Sequence, residues 1–344
     1  MVLNSLVLSV TYQCPIKCKY CGENCGPHRN ERMSLSFIKQ MIDYTKDLNV
    51  CNLVVFTGGE PLILGKDLYH AIQYANQEGF LTRVVTNAYW ASSKERSYKV
   101  LSNLKECGLS EINFSCDDFH QEFIPIKNIK CANEAAIQLD FPALIVTKGI
   151  KGSKITKEYL EEYLGTNLAI FDPNKNNPRN NLITCGLTVP VGWDSEKLTK
   201  EDLEYSENPD IWKIPCDDIL KQIVITPEGK LAACCGCGSE GIPELVIGNV
   251  HSKSLLDLIE EGNYDFIWNW LALEGPYGIM EFLKRKDPSL SFEERYVNKC
   301  HLCNTIFSNK IMRNLLKQEI ETAYNHVCLL RAWLELKREQ VQLD

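Results

Sequence analysis

Residues 6–21, LVLSVTYQCPIKCKYC, place a short apolar run directly before three cysteines. The run Leu6–Thr11 is rich in leucine and β-branched residues and predicts a strand. After it, Cys14, Cys18 and Cys21 stand in a C-x3-C-x2-C spacing, which we expect in the loop between this strand and a helix. Spacings of two and three let three thiolates from one loop converge on one iron-sulfur cluster. This loop is the first candidate metal site.

The number of cysteines distinguishes two kinds of metal site. A structural zinc site requires four ligands, whereas three thiolates on a four-iron cluster leave one iron open to a small molecule. Zinc remains an alternative because Cys25, four residues after Cys21, would complete a set of four. The chain holds 16 cysteines in 344 residues and begins without an export signal. Such usage favours metal or redox chemistry in a reducing compartment over disulfides.

The composition is that of a globular protein, with 44% hydrophobic and 24% charged residues. The formal net charge of -8 argues against binding to nucleic acid or to an anionic membrane. No apolar run reaches the roughly 18 residues that a transmembrane helix needs, and the first residues lack the basic region of a signal peptide. We therefore expect a cytoplasmic protein with neither nucleic acid nor a membrane as a partner.

Short β-branched runs alternate with helical patterns through the first half of the chain. The predicted strands are Leu6–Thr11, Leu53–Thr57, Leu81–Thr86, Glu111–Ser115, Ala143–Thr147 and Asn167–Phe171. The predicted helices are Leu35–Leu48, Asp67–Gln77, Ser93–Cys107, Asn128–Gln138 and Thr156–Leu164. Such alternation predicts an α/β fold of parallel strands joined by right-handed crossovers. Six βα units favour an open, partial (β/α)6 barrel with its active site at the carboxyl ends of the strands.

The composition changes at Asp172–Asn181, where Asp, Pro, Asn and Lys predict a linker. We place the barrel domain over residues 1–185 and a second, smaller region over residues 186–308. A long amphipathic pattern, Ile311–Val341, predicts a C-terminal packing or dimer helix within residues 309–344. The sequence therefore predicts a barrel domain, a smaller second region and a C-terminal helix, in that order.

A second set of cysteines lies after the linker. Cys216 and Cys234 flank a predicted hairpin with its turn at Pro227–Gly229. Cys300 and Cys303 follow later in a C-x2-C spacing. Two thiolates from a hairpin and two from one loop make a complete set of four ligands. The count fits zinc as well as a second iron-sulfur cluster.

The first loop and the strand ends resemble the radical S-adenosylmethionine (radical SAM) superfamily. Tyr20 stands directly before the third cysteine, as the superfamily's aromatic residue does, and Thr57–Pro61 (TGGEP) is similar to its GGEP segment. The resemblance implies a partial radical SAM barrel, S-adenosylmethionine as cofactor and a 4Fe-4S cluster on Cys14, Cys18 and Cys21. An electron from a donor such as flavodoxin or ferredoxin would split the sulfonium and release a 5'-deoxyadenosyl radical that abstracts a hydrogen atom.

The same resemblance implies which residues bind the cofactor. They are Tyr20, Gly58, Gly59, Glu60, Thr86, Asn87, Ser115 and Asp117. In the superfamily the GGEP segment binds the methionine amino group, and residues at the ends of the third and fourth strands hydrogen-bond the ribose or the carboxylate. Tyr20 is expected to line the adenine site.

The second cysteine set resembles the SPASM and shortened twitch extensions of radical SAM enzymes. That resemblance implies a second 4Fe-4S cluster. Its ligands would be Cys216, Cys234, Cys300 and Cys303. Full SPASM extensions carry more cysteines and two clusters, so the resemblance implies a single auxiliary cluster here.

Several short motifs are similar to the peptide epimerases that make epipeptides, among them the paired cysteines Cys234 and Cys235. In that family the second cysteine of the pair returns a hydrogen atom to a Cα radical from the opposite face, which converts an L residue to a D residue. Carried over, Cys235 is the catalytic donor and Cys234 a cluster ligand. The chain departs from the family in an extra Cys237, an alternative donor, and in a longer segment between Cys216 and Gly229.

These resemblances imply a radical SAM enzyme that modifies a ribosomally synthesised precursor peptide, with L-to-D epimerisation as the expected reaction. The alternative is a peptide maturase that forms a thioether or carbon-carbon crosslink. A carbohydrate or small-molecule substrate is a third hypothesis. A zinc-stabilised binding protein without catalysis is a hypothesis from a different class.

Overall fold

The computed structural model describes residues 4–219, 221–234 and 241–341. In this part of the chain the strands are β1 (Ser5–Thr11), β2 (Leu53–Gly58), β3 (Leu81–Thr86), β4 (Glu111–Ser115), β5 (Ala143–Gly149), β6 (Ala169–Ile170), β7 (Leu182–Leu187), β8 (Gln222–Ile225), β9 (Lys230–Ala232) and β10 (Val246–Asn249). The α-helices are α1 (Leu35–Leu48), α2 (Lys66–Gln77), α3 (Lys94–Glu106), α4 (Asp118–Gln121), α5 (Lys127–Gln138), α6 (Lys157–Leu164), α7 (Leu255–Tyr264), α8 (Phe266–Lys286), α9 (Lys299–Ser308), α10 (Lys310–Gln318) and α11 (Ile320–Val341).

These strands form one sheet in the order β10-β9-β8-β1-β2-β3-β4-β5-β7-β6. Each neighbouring pair from β1 to β5 is parallel, and β5 pairs in parallel with β7. Helices connect the successive strands β1 to β5, as the alternating pattern predicts. The predicted α/β fold with a partial barrel and C-terminal helices is confirmed.

Apolar side chains on one face of the sheet and on the helices form the main core. Leu8 and Phe56 on the strands and Ile72 on α2 are wholly buried in it. Removing such side chains from water is the main source of stability for this layer. The first helix begins where the sequence predicts, because the Ser34 hydroxyl accepts the Phe37 N–H (3.2 Å) and caps α1.

The predicted sixth strand, Asn167–Phe171, is only partly formed. Only β6, two residues with exposed side chains, is present there, at the edge of the sheet. The strand that pairs with β5 is β7, which begins at Leu182 directly after the predicted linker. Leu182 and Ile183 are buried, so the apolar surface that they remove from water favours the later run as the barrel strand.

The second region continues the sheet of the first. β8 pairs in parallel with β1, with Gln222 opposite Ser5. β9 then pairs antiparallel with β8, which confirms the predicted hairpin. One sheet therefore spans the boundary that we predicted at residue 185. The domain ranges 1–185, 186–308 and 309–344 stay predictions.

The predicted C-terminal helical pattern is divided in the structure. α10 ends at Gln318 and α11 begins at Ile320, with Glu319 between them. Both helices contact α8. Among the helices of the described ranges, none combines the length and the apolar character needed to cross a membrane.

A break inside α8 positions one of the second-set cysteines. Gly275 has a φ of 68°, and Pro276 carries no N–H to continue the helix. A Cβ on Gly275 would lie 2.2 Å from the Ile214 carbonyl oxygen. At this break the Cys216 N–H donates to the carbonyl of Leu271 (2.9 Å), a residue of the first half of α8. The break therefore lets the segment that carries Cys216 approach the helix closely.

We predict that Gly275→Ala destabilises the protein by more than the about 1–2 kcal/mol that a left-handed conformation costs a residue with a Cβ. The reason is that the new methyl group also meets the Ile214 carbonyl. Gly165→Ala is the matched control, because Gly165 has a φ of 72° and a Cβ there would meet no atom within 4 Å. Denaturant unfolding measures both variants, and equal losses would contradict the role of the contact.

Candidate active site

The cysteine loop joins β1 to α1 at the carboxyl ends of the parallel strands. Its two ends are tied together, since the Gly26 N–H donates to the Tyr12 carbonyl (3.1 Å) and the Cys14 N–H donates to the Gly26 carbonyl (3.2 Å). Four buried or half-buried thiols lie on this loop: Cys14, Cys18, Cys21 and Cys25. Cys14, Cys18 and Cys25 belong to one buried apolar cluster, and Cys21 packs against it, so the loop brings the four side chains together.

Two thiols of the triplet accept hydrogen bonds from nitrogen donors. Asn87 Nδ2 donates to Cys14 Sγ (3.5 Å), and the main-chain N–H of Cys25 donates to Cys21 Sγ (3.4 Å). A hydrogen bond from the Cys25 side chain lowers the pKa of Cys21 to about 6, although burial acts in the opposite direction. Burial raises the pKa of Cys14 to about 12. A metal bound to both would hold them as thiolates.

An Asp-His pair lies at the end of β4. His120 Nδ1 lies 2.7 Å from Asp117 Oδ1. The same carboxylate caps α4 by accepting the Phe119 N–H (3.1 Å). Burial opposes a charged imidazole, but Asp117 and Cys18 raise the pKa of His120 well above its ordinary value. Asp117, a predicted cofactor residue, is therefore engaged with His120.

The glycines of the TGGEP segment lie against the end of β1. The Gly59 N–H donates to the Thr11 carbonyl (2.6 Å). A Cβ on Gly59 would lie 2.2 Å from the Gln13 carbonyl oxygen, and one on Gly58 would lie 2.4 Å from the Thr11 carbonyl oxygen. The backbone that leads into the cysteine loop therefore leaves no space for a side chain at Gly58 or Gly59. Binding of a methionine amino group by this segment stays a prediction.

Glu60 is wholly buried and joins the ends of β2 and β3. Its Oε1 accepts the Thr86 hydroxyl (2.8 Å) and the Leu62 N–H (3.2 Å), and its Oε2 accepts the Asn87 N–H (2.9 Å). Burial raises the pKa of Glu60 to about 7 despite these donors. The carboxylate therefore holds Asn87, whose side chain contacts Cys14.

The other predicted cofactor residues surround the same loop. Tyr20 is half-buried, with its ring edge-on to Phe119 and the ring centroids 4.7 Å apart. Ser115 is half-buried at the end of β4. The Thr86 hydroxyl is directed to Glu60. The ends of three strands thus meet at the cysteine loop, and cofactor binding by these residues stays a prediction.

A segment after β7, which the sequence analysis did not single out, also lies on the cysteine loop. Gly192 has a φ of 89°, and a Cβ there would lie 2.6 Å from the Cys21 nitrogen. Trp193 Nε1–H donates to the Cys25 carbonyl (3.1 Å). The contact joins positions more than 160 residues apart, so no local pattern predicts it. The sequence feature that could have indicated this segment is the pair Gly192 and Trp193, which stands in a stretch without a regular apolar pattern.

The second cysteine set lines one cavity of about 40 Å³. Its cysteines are Cys216, Cys234, Cys300 and Cys303. Asn298 caps α9 by accepting the Cys300 N–H (3.0 Å), so Cys300 and Cys303 lie on one face of its first turn. Leu271 and Pro276, from the two sides of the break in α8, form part of the apolar wall. The four predicted ligands are thus brought to one place.

The electrostatics of this cavity disfavour four free thiolates. Burial raises the pKa of Cys303 well above its ordinary value, and the other three thiols of the set raise it further. A bound cation removes this cost, since a coordinated thiol is deprotonated. Four soft sulfur donors in an apolar cavity fit an iron-sulfur cluster and also fit zinc.

The predicted hydrogen donor Cys235 lies outside the described residues, as does the alternative donor Cys237. Cys234, directly before Cys235 in the sequence, belongs to the cavity wall.

The fold and the site define a partial α/β barrel with a three-cysteine loop at the carboxyl ends of its strands. Residues 8–170 match the profile of the family described as the Radical SAM superfamily. Residues 8–170 therefore form a radical SAM domain.

Comparisons with curated proteins match about a third of the chain. GTP 3',8-cyclase from Desulforamulus reducens is 28% identical over 126 residues, which are 35% of this chain and 36% of that protein. PqqA peptide cyclase from Bradyrhizobium diazoefficiens is 29% identical over 112 residues, which are 32% of this chain and 28% of that protein. The chain thus spans about a third of the length of the curated relatives that it matches.

Among solved structures, native anSMEcpe with bound AdoMet and Cp18Cys peptide is similar over nearly the full length. The match covers 95% of this chain and 99% of that chain, with 12% identity and a TM-score of 0.50. At this identity the likeness concerns the fold.

We predict that Glu60→Gln destabilises the protein by about 1–3 kcal/mol, because an amide nitrogen would replace an oxygen that accepts a buried hydrogen bond. It should also weaken S-adenosylmethionine binding through the displaced Asn87. Thermal unfolding and equilibrium binding to the iron-loaded protein measure the two effects. Glu78→Gln, which breaks a surface ion pair with Lys46, is the control. It should change neither the free energy of unfolding nor the free energy of S-adenosylmethionine binding by more than about 1 kcal/mol. An unchanged unfolding temperature in Glu60→Gln would contradict the observed bonding.

Proposed function

We propose that the chain is a radical SAM enzyme that modifies a ribosomally synthesised peptide. The observation that carries the proposal is the set of three thiols packed together on one loop at the carboxyl ends of the barrel strands. The donor set fits a 4Fe-4S cluster on Cys14, Cys18 and Cys21, with one iron left for S-adenosylmethionine. When bound, these two groups would supply a 5'-deoxyadenosyl radical, using an electron from a donor such as flavodoxin or ferredoxin.

The chain's own residues bind, orient and shield that site. Gly58 and Gly59 hold the TGGEP backbone against β1, and Glu60 fixes the end of β3 beside it. Ser115 and Asp117 at the end of β4 are proposed to contact the ribose or the carboxylate of the cofactor. The half-buried ring of Tyr20 is proposed to cover the adenine.

The second cysteine cavity is proposed to hold another 4Fe-4S cluster. Four cysteines line it, and its walls are largely apolar, as in the surroundings of many buried clusters. This site would be the auxiliary cluster of a SPASM-like or twitch-like extension. The alternative occupant, zinc, would serve a structural role only.

A peptide is the proposed substrate class. One curated relative is called a peptide cyclase, and the fold of nearly the full chain is similar to that of a protein solved with a bound peptide. In an open, partial barrel the strand ends would admit an extended chain. The peptide would enter where the cysteine loop and the ends of β2, β3 and β4 meet.

The proposed reaction is L-to-D epimerisation. Loss of the Cα hydrogen leaves a planar carbon, and return of a hydrogen atom to its opposite face inverts the residue. An S–H bond is weak enough to supply that atom, and Cys235 follows the cavity residue Cys234 in the sequence. The substrate gains one hydrogen for the one it loses, and the oxidised thiol is restored by one electron and one proton from the external reductant.

A second candidate is the formation of a crosslink within the peptide. The similarity to PqqA peptide cyclase favours it. In that reaction the substrate loses two hydrogens, and the auxiliary cluster would accept the second electron. The two candidates therefore differ in the mass of the product.

We predict that reaction in deuterium oxide adds one mass unit for each inverted residue, because thiol protons exchange with solvent whereas Cα hydrogens do not. Cys235→Ala should still cleave S-adenosylmethionine but should yield no D residues. Cys328→Ala is the matched control, because Cys328 is exposed on α11, and it should behave as the wild type. Mass spectrometry with chiral amino-acid analysis provides the measurement.

Three results would change this proposal. D residues formed by Cys235→Ala would transfer the donor role to another thiol, with Cys237 tested next. A wild-type product lighter by two mass units would replace epimerisation by crosslinking. An iron-loaded protein that does not cleave S-adenosylmethionine with any peptide would contradict the proposed enzyme.

A further inference from the structure

Two lysines stand on the outer side of the cysteine loop. From Pro15 to Lys19 exposed and buried residues alternate, so that Ile16 and Cys18 are buried whereas Lys17 and Lys19 are exposed. The two lysine side chains therefore leave the loop on the side opposite to the buried ones. At this place the loop itself is the wall between the triplet and solvent.

The segment after β7 adds a third lysine and a tryptophan to this surface. Lys17 Nζ lies 4.4 Å from the centroid of the Trp193 ring. The next residue, Asp194, donates its main-chain N–H to the Lys19 carbonyl (3.0 Å), and its carboxylate lies 2.8 Å from Lys197 Nζ. Three lysines thus lie around Trp193 and Asp194. We call Lys17, Lys19, Trp193 and Lys197 the lysine patch.

The lysine patch keeps a positive charge although carboxylates lie beside it. Asp194 pairs with Lys197, and Glu122 Oε1 lies 2.6 Å from Lys19 Nζ. In the part of the chain that the structure describes, no carboxylate forms an ion pair with Lys17. Residues 12–33, which include the loop, hold four Lys or Arg and two Glu, in a chain of net charge -8. A positive patch on a negative protein favours a negatively charged partner.

The position of the patch indicates which partner fits. Electron transfer between proteins slows steeply with distance, so an external donor has to dock close to the triplet. Lys17 and Lys19 flank Cys18 in the sequence, and only the loop separates them from its thiol. Trp193 is 37% exposed and presents an aromatic surface among the lysines, as in many protein interfaces. Transient redox complexes need only a small interface.

We propose that the lysine patch is the docking surface of the external electron donor, a small acidic redox protein of the flavodoxin or ferredoxin kind. This inference rests on the proposed function, because it requires a cluster on the triplet that has to be reduced. In the docked complex the donor loses one electron, and that cluster accepts it. The lysines steer the encounter, and Trp193 supplies an apolar contact.

The test compares variants of the anaerobically reconstituted protein in two measurements. Titration calorimetry gives the Kd for flavodoxin, and product analysis gives the rate of S-adenosylmethionine cleavage driven by reduced flavodoxin or reduced ferredoxin. We expect Lys17→Glu to weaken the Kd and to lower the rate, each about tenfold, at low salt. The difference should largely vanish between about 0.01 M and about 1 M salt, because the Debye length falls from about 30 Å to about 3 Å.

Lys39→Glu is the matched control. Lys39 Nζ lies 4.5 Å from the Tyr74 ring centroid, on α1, so this variant makes the same change of charge and loses the same kind of contact. It should leave both measurements unchanged. Photoreduced deazariboflavin, a small uncharged reductant that needs no docking surface, should drive cleavage equally in all variants.

Glu122→Gln tests the sign of the effect. It removes a negative charge beside Lys19 and should tighten the Kd and raise the donor-driven rate, which damage to the fold would not do. Where Lys17→Glu retains no iron, Lys17→Gln and Lys197→Gln replace it, since they remove a charge without reversing it.

An unchanged Kd and an unchanged donor-driven rate in Lys17→Glu, at low salt and with full iron content, would overturn the inference and leave the proposed function intact. Equal effects of Lys39→Glu would do the same, as would a wild-type protein that deazariboflavin reduces but neither donor protein does. A polyglutamate peptide that binds the wild type but not Lys17→Glu, while flavodoxin binds both alike, would assign the patch to a substrate and also overturn the inference. Zinc in place of iron at the triplet would contradict the proposed function, and this inference with it.

Discussion

The arrangement of the site depends on one close backbone contact between the ends of β1 and β2. The Gly59 N–H donates to the Thr11 carbonyl (2.6 Å), and the Glu60 N–H donates to the Gln13 carbonyl (3.0 Å). The contact tolerates no Cβ on Gly59, and it fixes the residue directly before the first cysteine. Through the buried Glu60 carboxylate it also determines the position of Asn87 at the end of β3. The cysteine loop and two strand ends are thus held as one unit.

Much of this unit could be predicted because its signals are local. The cysteine spacing, the Gly-Gly pair and the alternation of strands and helices each occupy a few consecutive residues. The side-chain partners could not be predicted in the same way. The family resemblance implied that Asn87 and Asp117 face the cofactor, whereas in the structure Asn87 donates to Cys14 and Asp117 contacts His120. Long-range hydrogen bonds of this kind produce no periodic pattern of residues in the sequence.

The second region was harder to predict for a different physical reason. Helix α8 buries large apolar residues such as Trp268 and Trp270 around much of its circumference, so it lacks the clear amphipathic period of α1. The break at Gly275 depends on the approach of a distant segment. The cysteines themselves were informative, because four thiols that converge in one cavity are recognisable from their spacing before their partners are known.

The central claim is that the triplet holds a cluster with one iron open to S-adenosylmethionine. The most direct measurement is the electron paramagnetic resonance spectrum of the anaerobically reconstituted, reduced protein before and after addition of S-adenosylmethionine. Our account predicts a 4Fe-4S signal with one component that changes on addition, and this component is absent when Cys14, Cys18 and Cys21 are replaced by Ala. A spectrum that is the same with and without S-adenosylmethionine, or zinc bound in place of iron, would contradict the account.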